Sequence, residues 1–272
     1  MAYKTILVHA APQAEAQGRI RLAARLARAM NAHLIGSAPT GVSRYTSDAT
    51  RAVLATPCAA LREAAQQALA CFERLARAEG VVSIETRLHD DEAGAALVLG
   101  ARYCDLVVVG PPAPGHDVTP LCPSDLAQYL VLAGGRPMLM VPAGDNAALP
   151  GGDALVAWNG SKEAIRAVDG ALPLLRAARH ATVLRLMDGE GDGDESVPRL
   201  AAFLRRHGVA ARTALRPAAP DPGAALLAAA AQEGVNLLVM GAYGRARWRE
   251  TLFRGASAVV LRHAACPVLL AH

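Results

Sequence analysis

Three short stretches in the second half of the chain carry the groups best suited to hold a ligand. Gly241-Ala242-Tyr243-Gly244 follows the apolar run 237–240, and Gly255-Ala256-Ser257 opens a helical pattern made by Ala258, Val259, Leu261 and Arg262. Glycines where a strand ends allow torsions and close approach that a side chain forbids. The free N–H groups and positive dipole end of the following helix favour an anion, usually a phosphate. Between the two turns lies a basic connection, where Arg245, Arg247, Arg249 and Arg254 could face a phosphate or form a solvated link. The third stretch is Trp158-Asn159-Gly160, where an amide that both donates and accepts follows another apolar run. A glycine turn alone is a weak signal, because many strand-to-helix turns need one for geometry.

The elements that must position these groups alternate between strand and helix. In the first half, 5–10 (TILVHA) predicts a strand, 14–30 an amphipathic helix, 33–37 a strand and 61–79 a helix closed by Gly80. Then come a strand over 81–88, a helix over 92–102, a continuous apolar strand over 105–109, a helix over 124–133 and a strand over 137–141. The stretch 143–152 (AGDNAALPGG) is turn-rich and non-periodic and makes the best domain boundary. The second half repeats the order: strand 154–158, helix 161–176, strand 181–187, helix 197–207, strand 209–215, helix 222–233, strand 237–240, helix 256–263 and strand 267–270. Ser161 is a good N-cap for its helix, with Glu163 in the first turn.

Offsets support a duplication. Gly110 and Gly241 lie 131 apart, Pro137 and Pro267 lie 130 apart, and Leu7 and Leu155 lie 148 apart. The first half therefore holds about 17 extra residues, placed most simply between Gly41 and Leu61. The expected architecture is α/β, with two tandem repeats over 1–145 and 152–272. Each is a five-stranded parallel sheet of order 3-2-1-4-5 with helices on both faces. Ligands of such sheets bind beyond the carboxyl ends of strands, where the strand order reverses. In this order that point lies between strands one and four, which in the second half end at Asn159 and at the Gly241–Gly244 turn.

Composition narrows the function classes. With 272 residues and 53% hydrophobic but only 4% aromatic content, the cores are built from Ala, Leu and Val. No apolar run approaches the ~20 residues that span a bilayer, and the start of the chain runs directly into a strand, so a cytoplasmic location is expected. The five cysteines, Cys58, Cys71, Cys104, Cys122 and Cys266, form no Cys-x-x-Cys pair and suggest neither a disulfide framework nor a zinc site. A net charge of +4 without a dense basic run among aromatics speaks against nucleic-acid binding.

With those elements in place, the sequence resembles a tandem universal stress protein over nearly its whole length. The nucleotide-binding branch of that family carries Gly, two residues, Gly, nine residues, then Gly followed by Ser or Thr. Gly241 and Gly244 match, while the next family glycine falls on Arg254, with Gly255 and Ala256 behind it and Ser257 two places late. VAWNGSKEA resembles the family's first strand and turn, and RHAACPVLL its usual ending. The family's adenine-contacting aspartate aligns with Asn159. The resemblance implies ATP or another adenine nucleotide as ligand, with or without Mg, and no significant turnover. The base would lie near Ala157, Asn159 and Leu186, and the phosphates near Gly244, Gly255, Ala256 and Ser257, with Met240, Gly241 and Arg245 completing the site. Arg254 would either clamp a phosphate bidentately or fill the space one needs, the latter describing a scaffold or a binder of another small ligand.

The first half departs further. After 105–110 comes PPAPGHDVTPLCP, whose five prolines remove donors, and Ala11 stands at the adenine-contacting position, so this half is expected to be a non-binding copy. The acidic stretch 188–195 (DGEGDGDE) has Arg199 where a calcium loop closes with glutamate, and is read as a surface turn. The eight histidines show no metal-ligand spacing, and no residue set nominates a nucleophile or general base. The apolar closing strands 137–141 and 267–270 are expected at sheet edges, where the two halves would meet as an internal counterpart of the family's dimer, with a homodimer a further option.

Overall fold

The structure, a computed structural model, describes residues 2–43, 55–111, 123, 125–144, 151–187, 195–244 and 255–272. The chain divides into two compact units, one of Ala2–Arg136 with Ala143–Ala147, the other of Pro137–Pro142 with Ala148–His272.

In the first unit the strands are β1 (Thr5–His9), β2 (His33–Pro39), β3 (Ile84–His89) and β4 (Leu106–Val109). The helices are α1 (Ala16–Met30), α2 (Ala55–Ala78), α3 (Ala93–Ala101) and α4 (Leu126–Ala133). The strands pair in parallel in the order β3-β2-β1-β4. β1 and β4 are apolar almost throughout because both of their faces are covered. α1 stops at Asn31, whose left-handed φ of 51° turns the chain toward β2. α2 begins six residues before the periodic pattern does: 55–60 reads ATPCAA, and a proline in the first turn breaks no helical hydrogen bond. Its Phe72 ring lies on Gly36 of β2, where a Cβ would stand 2.6 Å from the Phe72 Cγ.

In the second unit the strands are β5 (Met138–Met140), β6 (Asp153–Ala157), β7 (His180–Met187), β8 (Ala211–Pro217), β9 (Leu237–Gly241) and β10 (Val268–Ala271). The helices are α5 (Lys162–Ala177), α6 (Ser196–Arg206), α7 (Pro222–Gln232) and α8 (Ala256–His263). β8-β7-β6-β9-β10 pair in parallel, which is the 3-2-1-4-5 order expected for this repeat. β5, fifth in the first repeat by sequence, lies in this unit and pairs with β10 antiparallel, Leu139 opposite Leu269. The central strands supply the core: Leu155, Val156, Leu238, Val239, Leu269 and Leu270 are fully buried. β8 at the edge alternates exposed and covered positions, as one-sided strands do.

Candidate functional site

The register of β6 against β9 decides what meets at the carboxyl edge of the second sheet. Ala157 pairs with Met240, so the chain leaves both strands at the same height. One exit passes through Trp158, Asn159 and Gly160 into α5, the other through Gly241 to Gly244. The two turns expected to converge are therefore neighbours.

The α5 exit is built by local hydrogen bonds. Asn159 Oδ1 accepts from the Ser161 amide at 3.1 Å, and Ser161 Oγ accepts from the Ala164 amide at 3.2 Å, capping the helix. Asn159 is exposed, and with its oxygen engaged, its NH2 group is the part directed to other partners. The Trp158 indole donates to Ser196 Oγ at 3.2 Å, which ties the ring to the start of α6. Ala157 and Leu186 are half-buried at the strand ends, whereas Met240 lies beneath the surface at 5% exposure.

The first turn of α5 then presses on the β9 exit. A Cβ on Gly241 would stand 2.6 Å from the Glu163 carbonyl carbon, and one on Gly244 would stand 2.8 Å from the Glu163 Cδ. Backbone contact with α5 thus holds Gly241 to glycine, whereas at Gly244 the Glu163 carboxyl end would have to shift for a side chain to fit. Glu163 is only 2% exposed. Burial pushes its carboxyl up, but hydrogen bonds from its own amide and from Ser161, with the neighbouring Lys162 and His272, outweigh this and hold it below the usual range. Lys162 Nζ stands 3.6 Å from Oε1, on a side chain that is itself 72% exposed. Sequence reading placed Glu163 in the helix's first turn without assigning it to the site, because the contact with Gly244 spans the sheet.

Tyr243, between the two glycines, adopts a left-handed φ of 57°. Its amide donates to Ser257 Oγ at 3.4 Å, which links the turn to the start of α8. The phenol oxygen is buried with no hydrogen-bond partner among the described residues, and burial pushes its pKa up to about 12. α8 is capped by Gly255, which offers no side chain, and the first helical bonds run from Ala258 and Val259 back to the Gly255 oxygen. The amides of Ala256 and Ser257 precede those bonds at the positive end of the helix. Close packing holds α8 in place, since a Cβ on Gly223 of α7 would stand 2.7 Å from Val259 Cβ. Gly244, Gly255 and Ala256 are open to solvent at least in part, and Ser257 is buried. Arg245, Arg247, Arg249 and Arg254, the acidic stretch 188–194 and most of the proline-rich stretch lie outside the described residues.

The matching place in the first unit is built differently. Ala11 is buried, and α1 sends Arg19 into the space under Gly110, where a Cβ would stand 2.6 Å from Arg19 Nη1. Arg19 Nε also donates to the His9 oxygen at 2.9 Å, and Arg19 is 4% exposed. Among the described residues no group of three or more His, Cys, Asp or Glu could hold a metal ion, and no helix is long and apolar enough to cross a membrane.

These elements define a doubly wound α/β domain with its topological switch point between β6 and β9. Residues 153–272 match the model of the Universal stress protein family, and this stretch of the chain is a member of that family. No curated protein matches the chain. Among solved structures, a universal stress protein from Archaeoglobus fulgidus DSM 4304 shares the fold at a TM-score of 0.74 and 14% identity, over 98% of this chain and 97% of that one. A functionally unknown protein from Pseudomonas aeruginosa PAO1 shares it at 0.56 and 20% identity, over 99% of this chain and 92% of that one.

Proposed function

We propose that the second unit binds an adenine nucleotide, ATP or a related one, as a ligand without significant turnover, and that the chain serves a stress response in the cytoplasm. The observation that supports this reading is the packing of Glu163, in the first turn of α5, against Gly244, in a turn whose Tyr243 amide donates to Ser257 at the α8 start. Ala157 and Leu186 offer apolar surface for a base, and the Asn159 NH2 offers a donor to a ring nitrogen. The Ala256 and Ser257 amides suit a phosphate. Arg245 and Arg254 are proposed to clamp it from the connecting stretch. Membership of 153–272 in the universal stress protein family supports the same reading.

The first unit is proposed to serve as a non-binding copy. Arg19 under Gly110 and the buried Ala11 support this, because a buried guanidinium tied to the His9 oxygen stands beside that turn. Titration calorimetry of the full chain with AMP, and with ATP and magnesium, is expected to give one site per chain. Absence of heat at about millimolar nucleotide, where even a 1 mM Kd would register, contradicts the proposal. ADP formed in proportion to added protein contradicts the lack of turnover.

A further inference from the structure

We propose that the outer face of α3 and α4 in the first unit binds a second copy of this chain, each helix lying antiparallel on its counterpart. The face holds no part of the nucleotide site. Both helices cover a sheet yet carry no charged residue, α3 reading AGAALVLGA and α4 LAQYLVLA. A helix with one side on a sheet ordinarily turns charged residues to the other.

The two helices lie side by side and parallel. A Cβ on Gly94, near the start of α3, would stand 2.7 Å from Tyr129 Cδ1. Past the other end, Arg136 Nη2 donates to the Arg102 oxygen at 3.3 Å. Their outward residues are Leu99, Tyr129 and Leu132, with Tyr103 just beyond α3, and these four are between 38% and 75% exposed. The second unit serves as an internal control. There Gly223 of α7 meets Val259 of α8, also at 2.7 Å, as Gly94 meets Tyr129. Counting from that contact puts Ala228 and Gln232 at the places of Leu99 and Tyr103, and Arg262 at the place of Leu132. All three are exposed. One repeat therefore fills these places with small or polar side chains, so the fold does not demand the large apolar ones of the other.

The charges at the two ends of the face fit a second copy of the same face. Exposed Glu92 and Asp125 stand at the starts of the two helices, and exposed Arg102 and Arg136 stand past their ends. Positions 92, 95, 99 and 102 fall on one stripe of α3, so Glu92, Leu99 and Arg102 look the same way. The face is thus acidic at one end, apolar in the middle and basic at the other. A two-fold axis lying in the face and crossing both helices sets Glu92 beside the partner's Arg102, and Asp125 beside the partner's Arg136. It also brings the positive start of each helix to the negative end of its counterpart. A surface that complements itself in this way closes as a dimer.

The test is sedimentation velocity on the full-length chain, from about 1 to about 100 μM. The wild type is expected to reach the mass of two chains at the upper end. Tyr103→Glu combined with Leu132→Glu should weaken the dimer at least about tenfold, whereas Ala228→Glu, at the matched place in the second unit, should leave it unchanged. Arg102→Glu should weaken it by setting like charge against the partner's Glu92, and adding Glu92→Arg to the same chain should restore it. Melting curves matched to the wild type show that each variant folds. A wild type that stays monomeric throughout the range overturns the proposal without help from any variant. So does a dimer that survives Tyr103→Glu with Leu132→Glu, or one that Ala228→Glu breaks as readily. Failure of Glu92→Arg to restore the Arg102→Glu chain overturns the antiparallel pairing.

Discussion

Glu163 and Gly244 interlock: the carboxyl group from the first turn of α5 fills the space that a side chain on Gly244 would need. They lie 81 positions apart in sequence, counting from 163 to 244, and the pairing of β6 with β9 brings them together. The second glycine of the turn therefore has a structural cause apart from any ligand. Gly244→Ala is expected to destabilise the second unit by about 1–3 kcal/mol, as overpacking does. Glu163→Ala in the same chain should recover most of that loss. Urea unfolding of the four proteins in the double-mutant cycle measures this, and additive single effects would contradict the contact.

Ser161 serves both the helix and the carboxylate. Its Oγ accepts from the Ala164 amide and its hydroxyl helps hold Glu163 charged. Ser161→Ala should cost about 1 kcal/mol. It should also raise the Glu163 pKa, visible in a carboxyl-carbon NMR titration. A stability loss with an unmoved titration would assign Ser161 to capping alone.

The acid limb of stability follows from the same carboxyl. Its folded pKa lies below the unfolded value of about 4.3, so the stabilisation is present above that value and is lost as pH falls through the folded one. Asp153, held down by its hydrogen bond from Arg179, acts in the same direction. Subtracting the profile of Glu163→Gln from that of the wild type isolates the Glu163 share. The difference should shrink as pH drops below about 4. A flat difference would show that the carboxyl is not perturbed.

Tyr243 contributes at the alkaline end. Burial pushes its phenol up to about 12, so stability is unaffected below the unfolded value near 10 and falls as pH rises from there toward 12. The oxygen has no hydrogen-bond partner among the described residues. Tyr243→Phe should therefore be neutral or stabilising by up to about 1 kcal/mol at pH 7, and should flatten the loss above pH 10. Destabilisation by Tyr243→Phe would mean that the hydroxyl is satisfied in solution.

Much of the frame was legible in the residues. Continuous apolar runs such as 106–109 and 237–240 mark strands buried on both faces, and the recurring strand-to-helix order gives the parallel topology. The switch point followed from topology, and with it the adjacent exits of β6 and β9. Less local features stayed hidden. Proline in the first turn masked the start of α2, and only a three-dimensional contact shows Glu163 behind Gly244 or Arg19 under Gly110. Asn159 reads as a base contact in sequence, yet its oxygen first closes the turn into α5. Nothing in residue types announces that choice, because the same oxygen can accept from either partner.

The most direct measurement is a crystal structure of the full chain grown with AMP. The base is expected between Ala157, Leu186 and the Asn159 NH2 group, with its phosphate at the Ala256 and Ser257 amides. Nucleotide bound elsewhere on the chain, or an empty crevice at saturating AMP, would contradict it.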